Sequence, residues 1–233
     1  VTLCRPEVLN AQTPQVWAAL REIPRQLPGD IRIVVVRGEG RAFSAGLDLS
    51  VAGNLAAELA QLPSADAIAR IAAAQEAFSW LRRPDLVTIA RVQGHAIGAG
   101  FQLALACDLR VLAEDAQLAM AEVTLGLVPD LGGTKRLTEL AGYARALEIC
   151  VTGRRLDAAE ALRVGLANLV VPQAELDAAV ADLTAAVLAG NRDAVIEIKA
   201  LLSGAAARSY PEQERAEREA QHRRLRDLAG QGE

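Results

Sequence analysis

Three observations predict an α/β chain with a helical C-terminal extension. β-Branched runs alternate with helical patterns through the first half, clustered glycines follow the first two of those runs, and the second half is helical almost throughout. A chain of 233 residues, 52% hydrophobic, can bury a core of good size and is too apolar for intrinsic disorder.

Residues 31–37 (IRIVVVR), 86–92 and 109–113 are short apolar runs, the pattern of strands covered on both faces. Gly38, Gly40 and Gly46 punctuate the chain after the first run, and Gly94, Gly98 and Gly100 after the second. Between them, residues 54–78 are Ala-rich with helical spacing, and residues 51–64 are expected to form a mobile loop. The second glycine turn opens a helix over 99–107, and Thr134 is expected to start another that runs through Leu140. Asp157 and Glu160 have the spacing of a capping box, with Gly165 as the stop. A strand over 167–171 ends at Pro172, and helices follow over 176–188, 194–202 and 211–228. A boundary near Gly190 divides a core, residues 1–190, from a helical extension, residues 191–233.

Several function classes fall away on composition. A net charge of -4 and few aromatic residues provide neither a basic patch nor a stacking platform, so no nucleic-acid partner is expected. The most apolar stretch, residues 86–109, is interrupted by Arg91, Gln93, His95, Gln102 and Asp108 and is no membrane span. Cys4, Cys107 and Cys150 are odd in number and widely spaced among apolar neighbours, as reduced core thiols are, which points to a cytoplasmic setting. Two histidines, His95 and His222, with scattered cysteines do not make a zinc site, so no metal is expected. Neither GxGxxG nor GxxxxGK[ST] occurs. Ser44 in FSAG resembles a nucleophile elbow, but Ala42 stands where GxSxG needs glycine and no histidine is placed to activate it. Trp17 and Trp80 are expected to cover helix faces, His95 to be a satisfied near-core side chain, and Arg223, Arg224 and Arg226 to lie on a solvated face.

What remains is a pair of glycine turns, each after a buried strand: Ala45-Gly46-Leu47 and Gly98-Ala99-Gly100. Glycine allows close backbone approach to a ligand, so both turns could aim main-chain N–H groups at one anionic oxygen. The helix opened by the second turn would add its N-terminal positive charge.

RPEVLNAQ, VVVRGEGRAFSAGLDL, GHAIGAGFQLALACDLRVLAEDAQLAMAEVTLGLVPDLGGTKRL and TGRRLDAAEALRVGLANLVVP resemble the enoyl-CoA hydratase/isomerase family, the crotonase superfamily, over most of residues 1–172. The resemblance implies a spiral of ββα units, homotrimers often paired into hexamers, and an acyl-CoA thioester as ligand. No separate cofactor is implied, because CoA is part of the substrate. It also implies that the N–H groups of Leu47 and Ala99 form an oxyanion hole, within turns whose Ala45, Gly46, Asp48, Gly98 and Gly100 contact substrate, and that residues 191–233 mediate trimerisation.

The departure from the family pattern bears on the reaction. Family hydratases use two glutamates on water, and here the two positions hold Gln102 and Glu122. An amide orients water but moves no proton. Asp130, in EVTLGLVPDLGG, resembles the second acid of the family's dienoyl-CoA isomerases, although Gln102 stands where those generally have Asp. Three functions follow as alternatives: an isomerase in which Glu122 removes a proton and Asp130 returns one, a hydratase in which Gln102 positions water, and a non-catalytic acyl-CoA binding protein. Asp130 could equally cap a turn or the following helix.

Overall fold

The computed structural model describes residues 1–230. The chain runs through β1 (Thr2–Leu3), α1 (Pro14–Gln26), β2 (Ile33–Gly38), α2 (Leu49–Gln61), α3 (Ser64–Ser79), β3 (Val87–Val92), β4 (His95–Ile97), α4 (Ala99–Ala106), β5 (Leu109–Ala113) and β6 (Gln117–Ala119). It continues through α5 (Gly133–Ala141), α6 (Tyr143–Thr152), β7 (Leu156–Asp157), α7 (Ala158–Arg163), β8 (Leu169–Val171), α8 (Leu176–Ala189), α9 (Arg192–Ala205) and α10 (Tyr210–Leu228).

Two sheets result. The larger is parallel throughout, in the order β1-β2-β3-β5-β8, with Val35 opposite Ile89 and Ile89 opposite Leu109. The smaller has the order β4-β6-β7. Side chains that alternate along β3 and β5 explain why their sequences are apolar without interruption. Ile89 and Val111 pack with Leu176 and Val180 of α8, whereas Ala90, Val92 and Leu112 join the main core with Phe101, Leu103 and Leu105 of α4. α4 is almost wholly buried, which is why its sequence has no polar face.

Five expectations are corrected. Residues 51–64 are not a mobile loop but the body of α2 and the start of α3: Asp48 accepts from the Ser50 N–H to cap α2, and Leu62 and Pro63 form a two-residue extended break between the helices, Pro63 keeping Leu62 out of the helical region. α5 is capped not by Thr134 but by Gly132 at φ +87°, and Thr134 lies inside the helix. Cys107 is buried, its thiol pushed up to about 12 by burial, and Cys150 is half-buried, but Cys4 is exposed because the two-residue edge strand β1 ends just before it. His95 is not satisfied: its Nδ1 is buried with no partner among the described residues. The Asp157–Glu160 box is half formed, since Asp157 accepts from the Glu160 N–H while the Glu160 carboxylate is taken by Arg154.

Two polar anchors hold the helices to the sheet. Arg110, fully buried, donates to the carbonyls of Leu166 at 2.7 Å and Cys107 at 2.8 Å, and burial lowers its pKa to about 10, so it stays charged near neutrality. Lys199 of α9 donates to the Leu86 carbonyl at 2.6 Å and to Asp108 at 2.7 Å. An Arg110→Met variant strands those buried carbonyls. It is expected to lose more than about 2 kcal/mol in urea denaturation. Arg223 is exposed and pairs with Glu197, as expected of a solvated face, but Arg224, its side chain 13% exposed, turns inward to Asp193, Asp227 and Asn191, which corrects the expectation for that residue as well. The predicted extension's last residues, 231–233, lie outside the described residues.

Candidate functional site

A cavity of about 600 Å³ lies between α1, α2, α3 and the two glycine turns. Its wall is mostly apolar, with Leu49, Leu55, Leu59, Ile71, Val128 and Leu131 among its side chains. Ala45, Gly46, Leu47, Gly98, Ala99, Gln102, Glu122 and Asp130 all line it. Asp48 and Gly100 do not. The Asp48 carboxylate is committed to Ser50, whose hydroxyl and N–H hold it below its usual range, and to Arg5 at 3.0 Å, which adds to the effect. Gly100 serves packing: a Cβ there would stand 2.4 Å from the Ser44 carbonyl oxygen.

The two turns meet because both are stripped of side chains. Gly46, at φ +87°, could carry a Cβ only 2.4 Å from the Ile97 carbonyl oxygen, and that point is 3.5 Å from the Ala99 nitrogen. Ala99 is the first residue of α4, so its N–H has no partner within the helix. Leu47 sits in a parallel bridge with Gln12, in which Gln12 bonds the Gly46 carbonyl and the Asp48 N–H. In such a bridge the N–H of the middle residue points the other way. Two main-chain donors therefore lie beside each other at the cavity wall. The Ser44 hydroxyl is spent holding this turn, donating to the Asn10 carbonyl and accepting from the Gly46 N–H and from Gln12. Gln12 in turn accepts from the Trp17 indole at 2.8 Å, so Trp17 lines the cavity as well as covering a helix face.

Glu122 begins a 3-10 turn, Glu122–Leu125, and its carboxylate stands at the second glycine turn. A Cβ on Gly98 would lie 3.4 Å from its Oε1. Gln102 donates from Nε2 to Glu122 Oε1 at 2.7 Å, while Gln102 Oε1 accepts from the N–H groups of Leu131 at 2.9 Å and Gly133 at 3.2 Å. Glu122 Oε2 is buried with no partner among the described residues. Burial raises the Glu122 pKa, and the nearby charge of Asp130 pushes the same way, against the Gln102 hydrogen bond. Asp130 is exposed at the cavity edge, and the apolar atoms around its carboxyl raise its pKa too. Its main-chain carbonyl accepts from Gln75 of α3 at 2.6 Å.

One residue essential to this arrangement carried a readable signal in the sequence. A Cβ at Gly133 would stand 2.7 Å from Gln102 Cγ, so only glycine lets the amide reach the 131–133 backbone. The Gly132-Gly133 pair after Asp130 was that signal, and sequence reasoning missed it. Arg21 and Arg70, also on the wall, left none.

A family model for enoyl-CoA hydratase/isomerase matches residues 1–229. Among solved structures, a Thermobifida fusca YX protein crystallised with CoA is 49% identical with a TM-score of 0.91, over 98% of this chain and 90% of that one. An enoyl-CoA hydratase from Bacillus anthracis is 30% identical with a TM-score of 0.85, over 98% of this chain and 89% of that one. The carnitinyl-CoA dehydratase of Escherichia coli (strain K12) is 39% identical over 184 residues, 76% of this chain and 65% of that protein. The chain spans about two thirds of the length of the curated relatives it matches. A family match over residues 1–229, on a crotonase-like fold that a CoA-bound relative shares over 98% of this chain, decides the question of kinship: this chain belongs to the enoyl-CoA hydratase/isomerase family.

Proposed function

We propose that the protein is an acyl-CoA enzyme that moves a double bond along an enoyl- or dienoyl-CoA, with Glu122 as its acid/base. The observation that carries this reading is the direct Gln102–Glu122 contact at 2.7 Å. An amide bonded to a carboxylate leaves no space for a water between the two, and it transfers no proton. Glu122 Oε2 is then a free basic atom at the cavity wall, with no partner among the described residues.

The thioester oxygen lies between the N–H groups of Leu47 and Ala99, with Ala45, Gly46 and Gly98 giving the backbone room. Glu122 removes a proton from the carbon next to the carbonyl. The electron pair moves onto the thioester oxygen, where both N–H groups donate to it; loss of one such donor typically costs about 10²–10³ in rate. A proton returns further along the acyl chain from Asp130, and the double bond comes into conjugation with the carbonyl. Asp48 and Gly100 act behind the wall, through Arg5 and Ser44. CoA is part of the substrate, and no metal or further cofactor enters. Exposed Ile198, Leu202, Leu225 and Leu228 support residues 191–233 as the contact surface of a homotrimer or hexamer. Three free thiols go with a cytoplasmic setting.

A second reading, hydration of a 2-enoyl-CoA, is favoured by the names of two relatives and by the second hydrogen of Gln102 Nε2, which could hold a water beside Glu122 Oε2. Ultraviolet absorbance separates the readings. A conjugated signal gained from a 3,5-dienoyl-CoA supports isomerisation. Loss of the 2-enoyl-CoA signal with a hydroxyacyl product supports hydration, and silence with measurable binding leaves a non-catalytic acyl-CoA binding protein. The pH profile gives a further expectation. Activity needs Glu122 ionised and Asp130 protonated, and both pKa values are raised, Glu122's by burial and Asp130's by the apolar atoms around its carboxyl. kcat/KM should rise through a limb above the ordinary glutamate value, then fall through a second limb. Asp130→Asn should remove the falling limb, and a profile unchanged by that substitution takes Asp130 out of the mechanism.

A further inference from the structure

One face of α1 lines the cavity: Pro14, Trp17, Ala18 and Arg21, spaced as successive turns of a helix. α1 begins next to the Gln12–Leu47 bridge, so Pro14 stands near the reacting end. Arg21 follows seven residues later, about 10 Å along the helix axis. Between them the wall is apolar, with Leu49, Ala52, Leu55 and Ala56 of α2 and Ile71 and Ala74 of α3.

Two cations share that wall, and they differ. Arg70 is hydrogen-bonded to Glu58. Arg21, with a side chain 36% exposed, has carboxylates only at 3.9 Å, from Glu22 and Glu76, and makes no hydrogen bond among the described residues. A guanidinium offers five donors in a planar fork matched to a carboxylate, and here the fork is unfilled. Glu122 sits at the second glycine turn and Asp130 lies within reach of its charge, so the two would repel an anion from the reacting end. Among the described residues, Arg21 is then the cation of this wall with no close carboxylate partner.

We propose that the cavity takes an acyl chain that itself ends in a carboxylate, and that Arg21 receives that carboxylate. This rests on the acyl-CoA reading above. Glu22 and Glu76 keep Arg21 oriented at long range, and the substrate carboxylate supplies the close, two-point contact that neither makes.

The test uses saturated acyl-CoA thioesters of equal chain length, one ending in a methyl group and one in a carboxylate, so that binding is read without turnover. Calorimetry on the wild-type protein should give tighter binding of the carboxylate-ended ligand. Arg21→Leu should weaken that ligand by about 10- to 100-fold and leave the methyl-ended one unchanged, which also certifies the variant's fold. Equal weakening of both ligands would overturn the proposal and assign Arg21 to the phosphates of CoA. Tighter wild-type binding of the methyl-ended ligand would overturn it as well. Because neither thioester reacts, the expected pattern with no isomerase activity would uphold the acyl specificity while the isomerase reading fails.

Discussion

Glu122→Gln is expected to remove most turnover and at the same time to stabilise the fold. The amide keeps the one hydrogen bond the carboxylate has, because the oxygen of the introduced side chain can accept from Gln102 as Glu122 Oε1 does. It loses the basic oxygen, and general acid–base groups contribute typically 10²–10⁴-fold, so a fall of about that size in kcat is expected. Stability moves the other way. The folded-state pKa of Glu122 is raised by burial and by Asp130, so its contribution to stability is full below the unfolded-state value and is lost as pH rises through the folded one. Near neutrality the wild-type protein holds a half-buried carboxylate with one unpartnered oxygen, and the variant does not. Melting curves at pH 7 should place the variant higher, by about 2–4 °C for each kcal/mol relieved, and the gap should close in acid. Full turnover in the variant would remove Glu122 from the mechanism.

Gln102→Glu is expected to redirect the site. The new carboxylate still accepts from the Leu131 and Gly133 N–H groups, so the 131–133 backbone keeps its anchor. What is lost is the donor to Glu122, and two carboxyl groups now meet at hydrogen-bond distance. They can do so only by sharing a proton, which raises the upper apparent pKa of the pair. Isomerisation at neutral pH should fall about 10- to 100-fold, and the acid limb of kcat/KM should move to higher pH. The pair then has the two acids that the resemblance assigns to family hydratases, so hydration of a 2-enoyl-CoA should increase. The variant should also be less stable than wild type near neutrality, the difference shrinking in acid as the pair takes up its proton. Unchanged isomerisation would mean that the Gln102 hydrogen bond does not shape Glu122's chemistry.

The legibility of the chain varied with how local its physics was. β2, β3 and β5 were readable because strands covered on both faces are apolar without alternation, and five residues are enough to display it. The helices of the second half were readable from their spacing, and α10 from Pro211 near its start. α2 was misjudged as a loop because nothing in its Ala- and Leu-rich sequence fixes what covers it; one of its faces borders the cavity, and only the tertiary arrangement supplies that. Thr134 carries the chemistry of a cap, but the Gln102 side chain occupies the approach to the chain at 131–133, and Gly132 takes the turn instead.

From the sequence alone came the α/β class, the two glycine turns, the family resemblance and the pairing of an amide position with an acid position. Each is written in consecutive residues or in a short motif, where residue type limits conformation directly. Only the tertiary structure decided what those residues do to one another. Gln102 lies 20 positions from Glu122 and 29 and 31 from Leu131 and Gly133, and hydrogen bonds join it to all three. The desolvation that lifts the carboxyl groups of Glu122 and Asp130 is likewise a property of the closed chain, as is Arg21 without a close partner on the cavity wall. A sequence lists which groups are available, but desolvation and hydrogen-bond partnership depend on distances that exist only once the chain has folded.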